Sequence, residues 1–125
     1  MFFFMDISRE FDYYSRVIIA NTDFLAEDPD SAKAFLNAVR KGYEYAIENP
    51  DEAADILCEA VPELDPEMVK ASQEWLADQY KAEVDQWGYI DPERWNAFYN
   101  WLNENGLSDN EIPEKYVFTN YYLSE

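Results

Sequence analysis

Residues 28–60, DPDSAKAFLNAVRKGYEYAIENPDEAADILCEA, decide the fold of this chain. They contain two pairs, Asp28-Pro29 and Asn49-Pro50, in which a capping side chain precedes a proline. An Asp or Asn side chain caps the first free N–H groups of a helix, and proline at the next position gives up an N–H that would have no helical partner. The stretch therefore predicts two helices, over Pro29–Glu48 and Pro50–Ala60.

The same helix-start signature occurs twice more, at Asp65-Pro66 and Asp91-Pro92. We expect a third helix that fades near Tyr80 and a fourth that stops at Asn105-Gly106, where glycine favours a left-handed C-terminal cap. Apolar residues recur at a spacing of three and four along all four segments, which predicts one buried face per helix. The predicted inward residues are Ala32, Phe35, Leu36, Val39, Tyr43, Ala46 and Ile47; Ala53, Ile56, Leu57 and Ala60; Met68, Ser72, Trp75, Leu76 and Gln79; and Trp95, Phe98, Tyr99 and Leu102.

Two apolar runs near the start, FFFM at 2–5 and VIIA at 17–20, do not alternate with polar residues. Strands that are covered on both faces have this pattern, so both runs predict buried strands. The closing YVFTNYYL at 116–123 predicts either a short strand or an irregular packed segment. Two or three short strands form a small sheet for four helices, so we expect strands from elsewhere to complete it. The predicted class is α/β and mostly α-helical.

Composition limits the possible functions. The chain has 27 acidic and 9 basic residues and a formal charge of −18, which opposes binding to nucleic acid or anionic lipid and weakly favours a neutral or cationic ligand. It has no histidine and one cysteine, Cys58, so an intrachain disulfide, the usual general base and the commonest nitrogen ligand for metals are all missing. We therefore expect no catalytic residue, no metal and no cofactor. No apolar run reaches the about 20 residues of a membrane span.

The segment FDYYS at 11–15 is the best candidate for ligand contact. Asp12, Tyr13 and Tyr14 lie between the two predicted strands. Adjacent side chains of an extended chain point to opposite sides, so at least one phenol should face an opening. Tyrosine offers a flat face for stacking and a hydroxyl for hydrogen bonding. The residues alone leave two interpretations open, a ligand cleft or ordinary half-buried strand tyrosines.

The run FDYYSRVIIANTDFLAEDPDSAKAFLNAVRKGYEYAIENPDEAADIL, residues 11–57, resembles the C-terminal half of the thiamine-pyrimidine-precursor binding protein and synthase family, a branch of the type II periplasmic binding fold. VKASQEWLADQYK, WNAFYNWLNENGL and FTNYYL extend the resemblance over nearly the whole chain. It implies two α/β lobes, joined by crossover strands, with the ligand between them. The chain would be a single partial domain, with crossover strands at 1–21 and the helical part of one lobe at 28–125. Asp12, Tyr13 and Tyr14 would then lie in the ligand cleft.

The resemblance also implies a function. Bacterial members of the family deliver a pyrimidine such as formylaminopyrimidine to an ABC permease, which implies an extracytoplasmic solute-binding protein rather than an enzyme. Aromatic stacking, with carboxylates accepting hydrogen bonds from ring amines, would recognise the ligand. The fungal synthase relatives are distinguished by a cysteine-rich motif and a substrate histidine, and this chain has neither.

The sequence also departs from the family pattern. It lacks the first half of such a protein, a signal sequence and a lipid-attachment cysteine, so we expect a truncated protein that takes its missing strands from an upstream-encoded partner or from a second copy by strand exchange. The alternative is a helical interaction or oligomerisation module that derives from the same fold and binds no ligand.

Overall fold

The computed structural model describes residues 13–81, 84–114 and 117–123. Asp12 and the first predicted strand, at 2–5, lie outside these residues. Over the described ranges the chain forms five helices, of which none is long and apolar enough to cross a membrane. They are α1 (Thr22–Glu27), α2 (Pro29–Glu48), α3 (Pro50–Ala60), α4 (Pro66–Ala77) and α5 (Pro92–Glu104).

The four predicted helices are confirmed, and three of the four predicted caps make the expected bond. Asp28 accepts from the N–H of Ser31 at 3.1 Å, Asp65 from that of Glu67 at 3.0 Å, and Asp91 from that of Glu93 at 2.8 Å. Asn49 precedes α3 without a side-chain cap bond. Its Nδ2 instead donates to the carbonyl of Tyr45 at 3.1 Å, so this side chain closes α2 rather than opening α3.

Of two predicted helix ends, one differs from the expectation and one is confirmed. Helix α4 ends at Ala77, before Tyr80, because the next residues tighten into a turn in which the N–H of Gln79 donates to the carbonyl of Leu76. Helix α5 ends at Glu104, and Gly106 follows with a φ of 61°, as a left-handed stop requires.

The short helix α1 was not predicted. Asn21 Oδ1 accepts from the N–H of Asp23 at 2.7 Å and from that of Phe24 at 3.3 Å, so its side chain caps the helix. Asparagine is a typical capping residue, but Asn21 directly follows the apolar run at 17–20 and was therefore predicted to belong to a strand.

The prediction of a strand at 17–20 is not confirmed, since the described residues contain no strand. A strand exists only through hydrogen bonds to a neighbour, and the described residues offer none to this segment. Its apolar side chains are exposed, with Ile19 87% accessible. The tail at 117–123 forms turns and irregular structure, which agrees with the irregular alternative. The α/β expectation therefore holds for its helical part only.

The described chain divides into two compact units. The first, called here the α2–α4 unit, comprises residues 27–81, 84–89 and 122–123. The second, called the aromatic unit, comprises residues 13–26, 90–114 and 117–121 and contains α1 and α5.

Small residues form the buried core of the α2–α4 unit. Ala32, Ala54 and Ala77 are buried, and small side chains let helices approach closely. Trp87 is also buried, and its ring stacks on that of Tyr43 at 4.7 Å.

The predicted inward faces of α2, α3 and α4 are partly wrong. Met68, for example, is 70% exposed, whereas Ala54, which no stripe included, is 1% exposed. Apolar spacing shows which side chains share a face of a helix, but the neighbouring elements determine which face is buried. The residues predicted as inward but found exposed are Phe35, Tyr43, Ile56, Leu57, Ala60, Met68, Ser72, Trp75 and Gln79.

Candidate functional site

Helix α5 supplies the aromatic face on which the candidate site is built. Trp95, Phe98, Tyr99 and Leu102 are half-buried, as their helical spacing predicts. The ring centroids of Trp95 and Tyr99 are 5.3 Å apart, and those of Phe98 and Tyr99 are 5.8 Å apart. These distances lie within the range of favourable aromatic pairs, so the rings support one another along the helix.

Tyr13 lies against this face with its ring partly open to solvent. Its ring stacks on Phe98 with centroids 4.7 Å apart and planes 23° apart. The residue is 41% exposed. The phenol therefore contacts Phe98 while part of the residue stays open to solvent.

Tyr14 is held within the aromatic unit instead. Its hydroxyl accepts the backbone N–H of Asp91 at 3.0 Å, and the guanidinium carbon of Arg94 lies 4.4 Å from its ring centroid. A cation at this distance from an aromatic face is attracted by the ring quadrupole. The two adjacent phenols therefore differ in exposure, and Tyr13 is the more open of the two.

A shallow concavity lies among these side chains. Its volume is about 40 Å³, which is room for about three water molecules. A whole pyrimidine ring does not fit inside it, so the concavity offers one wall of a site rather than an enclosed pocket. Its lining residues are Tyr13, Tyr14, Arg94, Trp95, Phe98 and Tyr99.

The charge in this lining differs from the sequence expectation. Among the described residues that line it, Arg94 is the one charged residue, and none of them is a carboxylate. The expected hydrogen bonds from ring amines to a carboxylate therefore have no acceptor among the lining residues. Asp12, which precedes Tyr13 in the chain, lies outside the described residues.

The tail packs beside this site. The ring of Phe118 lies 5.1 Å from that of Trp95. Asn120 forms two hydrogen bonds to Ile90: Oδ1 accepts its N–H at 2.9 Å, and Nδ2 donates to its carbonyl at 2.8 Å. This pair connects the tail to the turn that begins α5.

Sequence reasoning missed Arg94 and Asn120. Arg94 is the third residue of α5 and interrupts no pattern, and Asn120 lies 30 residues from its partner. The segment FTNYYL predicts a short strand or an irregular packed segment, and no local spacing rule pairs it with α5.

Hydrogen bonds on the helix surfaces shift the pKa values of three titratable groups outside the site. A hydrogen bond to Glu52 raises the pKa of Tyr45, and hydrogen bonds from Ser31 lower the pKa of Asp28. A hydrogen bond to Asp55 raises the pKa of Lys70, which lies 3.2 Å from that carboxylate. All three belong to helix surfaces of the α2–α4 unit. The parts of the chain that the structure describes contain no cluster of His, Cys, Asp or Glu that could hold a metal ion.

Comparison with known proteins supports the resemblance seen in the sequence. Residues 1–53 match the model of the family described as NMT1/THI5 like. The chain is 29% identical over 112 residues to a formylaminopyrimidine-binding protein of Halalkalibacterium halodurans, a match that covers 86% of this chain and 34% of the relative.

Two further relatives differ in the activity that their names describe. A 4-amino-5-hydroxymethyl-2-methylpyrimidine phosphate synthase of Candida albicans is 30% identical over 111 residues, covering 85% of this chain and 30% of the relative. A riboflavin-binding protein of Chloroflexus aurantiacus is 22% identical over 120 residues, covering 90% of this chain and 34% of the relative.

The chain thus spans about a third of the length of the curated relatives it matches. They include binding proteins and a synthase, so the match by itself does not distinguish binding from synthesis. Residues 1–53 thus match the NMT1/THI5-like family model, and the resemblance of the chain to thiamine-pyrimidine-precursor binding proteins and synthases is confirmed.

Proposed function

We propose that this chain is the C-terminal portion of a solute-binding protein for a thiamine pyrimidine precursor such as formylaminopyrimidine. The observation that carries the proposal is the half-open ring of Tyr13, which stacks on Phe98 at the edge of an aromatic concavity. The resemblance supports it, because one relative is named for binding this ligand.

Stacking is the main recognition step in this proposal. A pyrimidine ring lies on the face of Tyr13 that Phe98 does not cover. Stacking between a nucleic-acid base and an aromatic side chain contributes about 1–3 kcal/mol, and a pyrimidine has the same type of π-face. Arg94 can donate to a ring nitrogen or a carbonyl of the ligand, since a guanidinium carries only donors. We further propose that Asp12 accepts from a ring amine.

The rest of the cleft comes from other polypeptide in this proposal. The concavity of about 40 Å³ leaves most of a pyrimidine uncovered, and ligand pockets usually cover 70–90% of a small ligand. A second wall that closes over the ligand would supply the remaining contacts, as expected of a single partial domain over 1–125 whose residues 28–125 form the helical part of one lobe.

Binding is favoured over synthesis as the activity of this chain. It has no histidine, and its single cysteine lies half-buried in α3. Synthesis would need reactive groups that these residues do not supply. The bound pyrimidine would then pass to an ABC importer, which places the protein outside the cytoplasm.

We also propose that residues 16–21 pair as a strand with the same segment of a second copy. Val17, Ile18 and Ile19 are exposed, and an extended segment adds readily to another strand. A charge of −18 on each copy opposes association, and salt screens that repulsion. The apparent mass in light scattering should therefore rise with protein concentration and with salt, and a constant monomer mass from 0.05 to about 1 M salt would rule this pairing out.

Calorimetric titration of the full chain with formylaminopyrimidine tests the ligand proposal. Because one wall is open, we expect a dissociation constant of about 0.1–1 mM, which corresponds to about 4–5.5 kcal/mol. Riboflavin is the comparison ligand and should bind at least about tenfold more weakly, since its three-ring system exceeds the open face of one tyrosine. Absence of saturable heat at millimolar pyrimidine would refute the proposal, and pyrimidine formation by the purified chain would favour synthesis instead.

A further inference from the structure

We infer that Asn120 is a positioning residue for the ligand site, because it fixes the peptide group to which Tyr14 is hydrogen-bonded. The inference rests on the proposed function for its effect on ligand binding. Its structural part concerns the aromatic unit alone and can be tested without any ligand.

The first step is the double hydrogen bond between Asn120 and Ile90. Oδ1 accepts the N–H of Ile90 at 2.9 Å while Nδ2 donates to its carbonyl at 2.8 Å. A primary amide can satisfy both groups in only one orientation, with its oxygen towards the N–H and its nitrogen towards the carbonyl. The side chain therefore fixes both the position and the direction of the Ile90 backbone.

The second step follows from the planarity of the peptide bond. The carbonyl of Ile90 and the N–H of Asp91 belong to the same planar group and point in opposite directions across it. Nδ2 of Asn120 holds the carbonyl end of this group. The N–H end donates to the hydroxyl of Tyr14 at 3.0 Å. A rotation of the plane that broke one of these bonds would also misdirect the other.

The third step is that Tyr14 connects this peptide group to the concavity. Tyr14 lines the concavity and carries the guanidinium of Arg94 over its ring. If the Asp91 N–H turns away, the phenol loses the bond that fixes its hydroxyl, and the Tyr14–Arg94 pair is free to shift. Asn120 thus acts on the ligand through Tyr14 without touching the concavity, whose lining does not include it.

The substitution Asn120→Asp provides a sharp test because it keeps the size of the side chain. The carboxylate can still accept the Ile90 N–H, but it places an acceptor against the Ile90 carbonyl and so loses the bond that fixes the plane. The matched control is Asn100→Asp, which adds the same charge at an exposed position of α5.

Two measurements are made on the full chain of each variant. Amide hydrogen exchange of Asp91 reports whether the plane is held, with the amides of α2 as an internal standard for folding. Calorimetric titration with formylaminopyrimidine reports affinity. For Asn120→Asp we expect exchange at Asp91 to become at least about tenfold faster and binding about 5- to 30-fold weaker, while Asn100→Asp leaves both within about twofold.

A double-mutant cycle separates positioning from a general loss of stability. Tyr14→Phe removes the hydroxyl at the other end of the connection. If Asn120 acts through this hydroxyl, adding Asn120→Asp to Tyr14→Phe should weaken binding by less than about twofold more. If the fold-losses in affinity of the two single variants multiply in the double variant, the two residues act independently. That result would overturn the inference even where Asn120→Asp alone reduces folding.

The remaining outcomes are also decisive. Unchanged exchange at Asp91 in Asn120→Asp would show that the amide does not hold the plane, and faster exchange with unchanged affinity would show a purely structural role. If the unmodified chain binds no pyrimidine, the proposed function fails, and the exchange measurement still decides whether Asn120 positions the peptide group that holds Tyr14.

Discussion

Replacing Tyr13 by alanine should weaken ligand binding and leave the chain folded. The substitution removes a ring that stacks on Phe98 at 4.7 Å and 23°. An aromatic pair of this kind contributes about 0.5–1.5 kcal/mol beyond its buried area, and the ring is already 41% exposed. We therefore expect the free energy of unfolding to fall by about 1–2 kcal/mol, a cost that a folded chain can tolerate.

Ligand binding should weaken because the ligand stacks on the same ring. Removing a stacking partner costs about 1–3 kcal/mol, which corresponds to about 5- to 150-fold in affinity for formylaminopyrimidine. Tyr13→Phe keeps the ring and loses only the hydroxyl, so its affinity should stay within about threefold of the unmodified chain. Urea unfolding and calorimetric titration of both variants separate the two effects.

Tyr89→Ala is the matched control for this experiment. Tyr89 is 40% exposed, nearly the same as Tyr13, but belongs to the α2–α4 unit. Its loss should leave the affinity within about twofold, because no ligand contact is assigned to it. The reasoning is refuted if folded Tyr13→Ala binds as tightly as the unmodified chain, or if Tyr89→Ala loses as much affinity as Tyr13→Ala.

Two further predictions concern stability. Ala54→Val places two more carbons at a position of α3 that is almost fully buried, so urea unfolding should show a loss of about 1–3 kcal/mol; an unchanged midpoint would contradict the tight packing. Hydrogen bonds from Ser31 lower the pKa of Asp28 below 3.8. The ionised carboxylate therefore stabilises the folded chain above the unfolded pKa, and this stabilisation is lost as pH falls through the lower folded pKa. The neutral variant Asp28→Asn keeps a capping oxygen, and the difference in thermal midpoint between the two chains should shrink as pH falls from 6 to about 2.5; a constant difference would contradict this titration.

The helix boundaries were predictable from sequence because they depend on neighbouring residues only. A capping side chain and its target N–H lie two or three positions apart, as in Asp65 and Glu67, so the signal fits within one turn. The buried faces were harder to predict because they depend on which helices meet. Met68 fits the apolar stripe of α4 and is exposed, whereas Ala54 fits no stripe and is buried.

Ligand contact by Tyr13 and Tyr14 stays a prediction, and the sequence could not specify the surroundings of either ring. Two adjacent tyrosines in an extended segment indicated that one side chain would be open, and only the structure distinguishes Tyr13, which is stacked and open, from Tyr14, which is held by Asp91. Arg94 and Asn120 could not be found in the same way. Each meets its partner across a long chain separation, as in the 30 residues between Asn120 and Ile90, and no sequence period spans that distance.

The strand prediction shows a different limit. The apolar run at 17–20 predicted a buried strand, but a strand also needs a partner for its backbone. Within the described residues Ile19 remains exposed, so the run alone could not establish a sheet.

Intermolecular NMR cross-peaks between formylaminopyrimidine and the aromatic rings test the central claim most directly. With ligand at several times its dissociation constant, the account predicts cross-peaks from the pyrimidine protons to the ring of Tyr13, and to no ring of the α2–α4 unit. Cross-peaks confined to Tyr43, Tyr80 or Trp87, or none to Tyr13 at saturation, would contradict it.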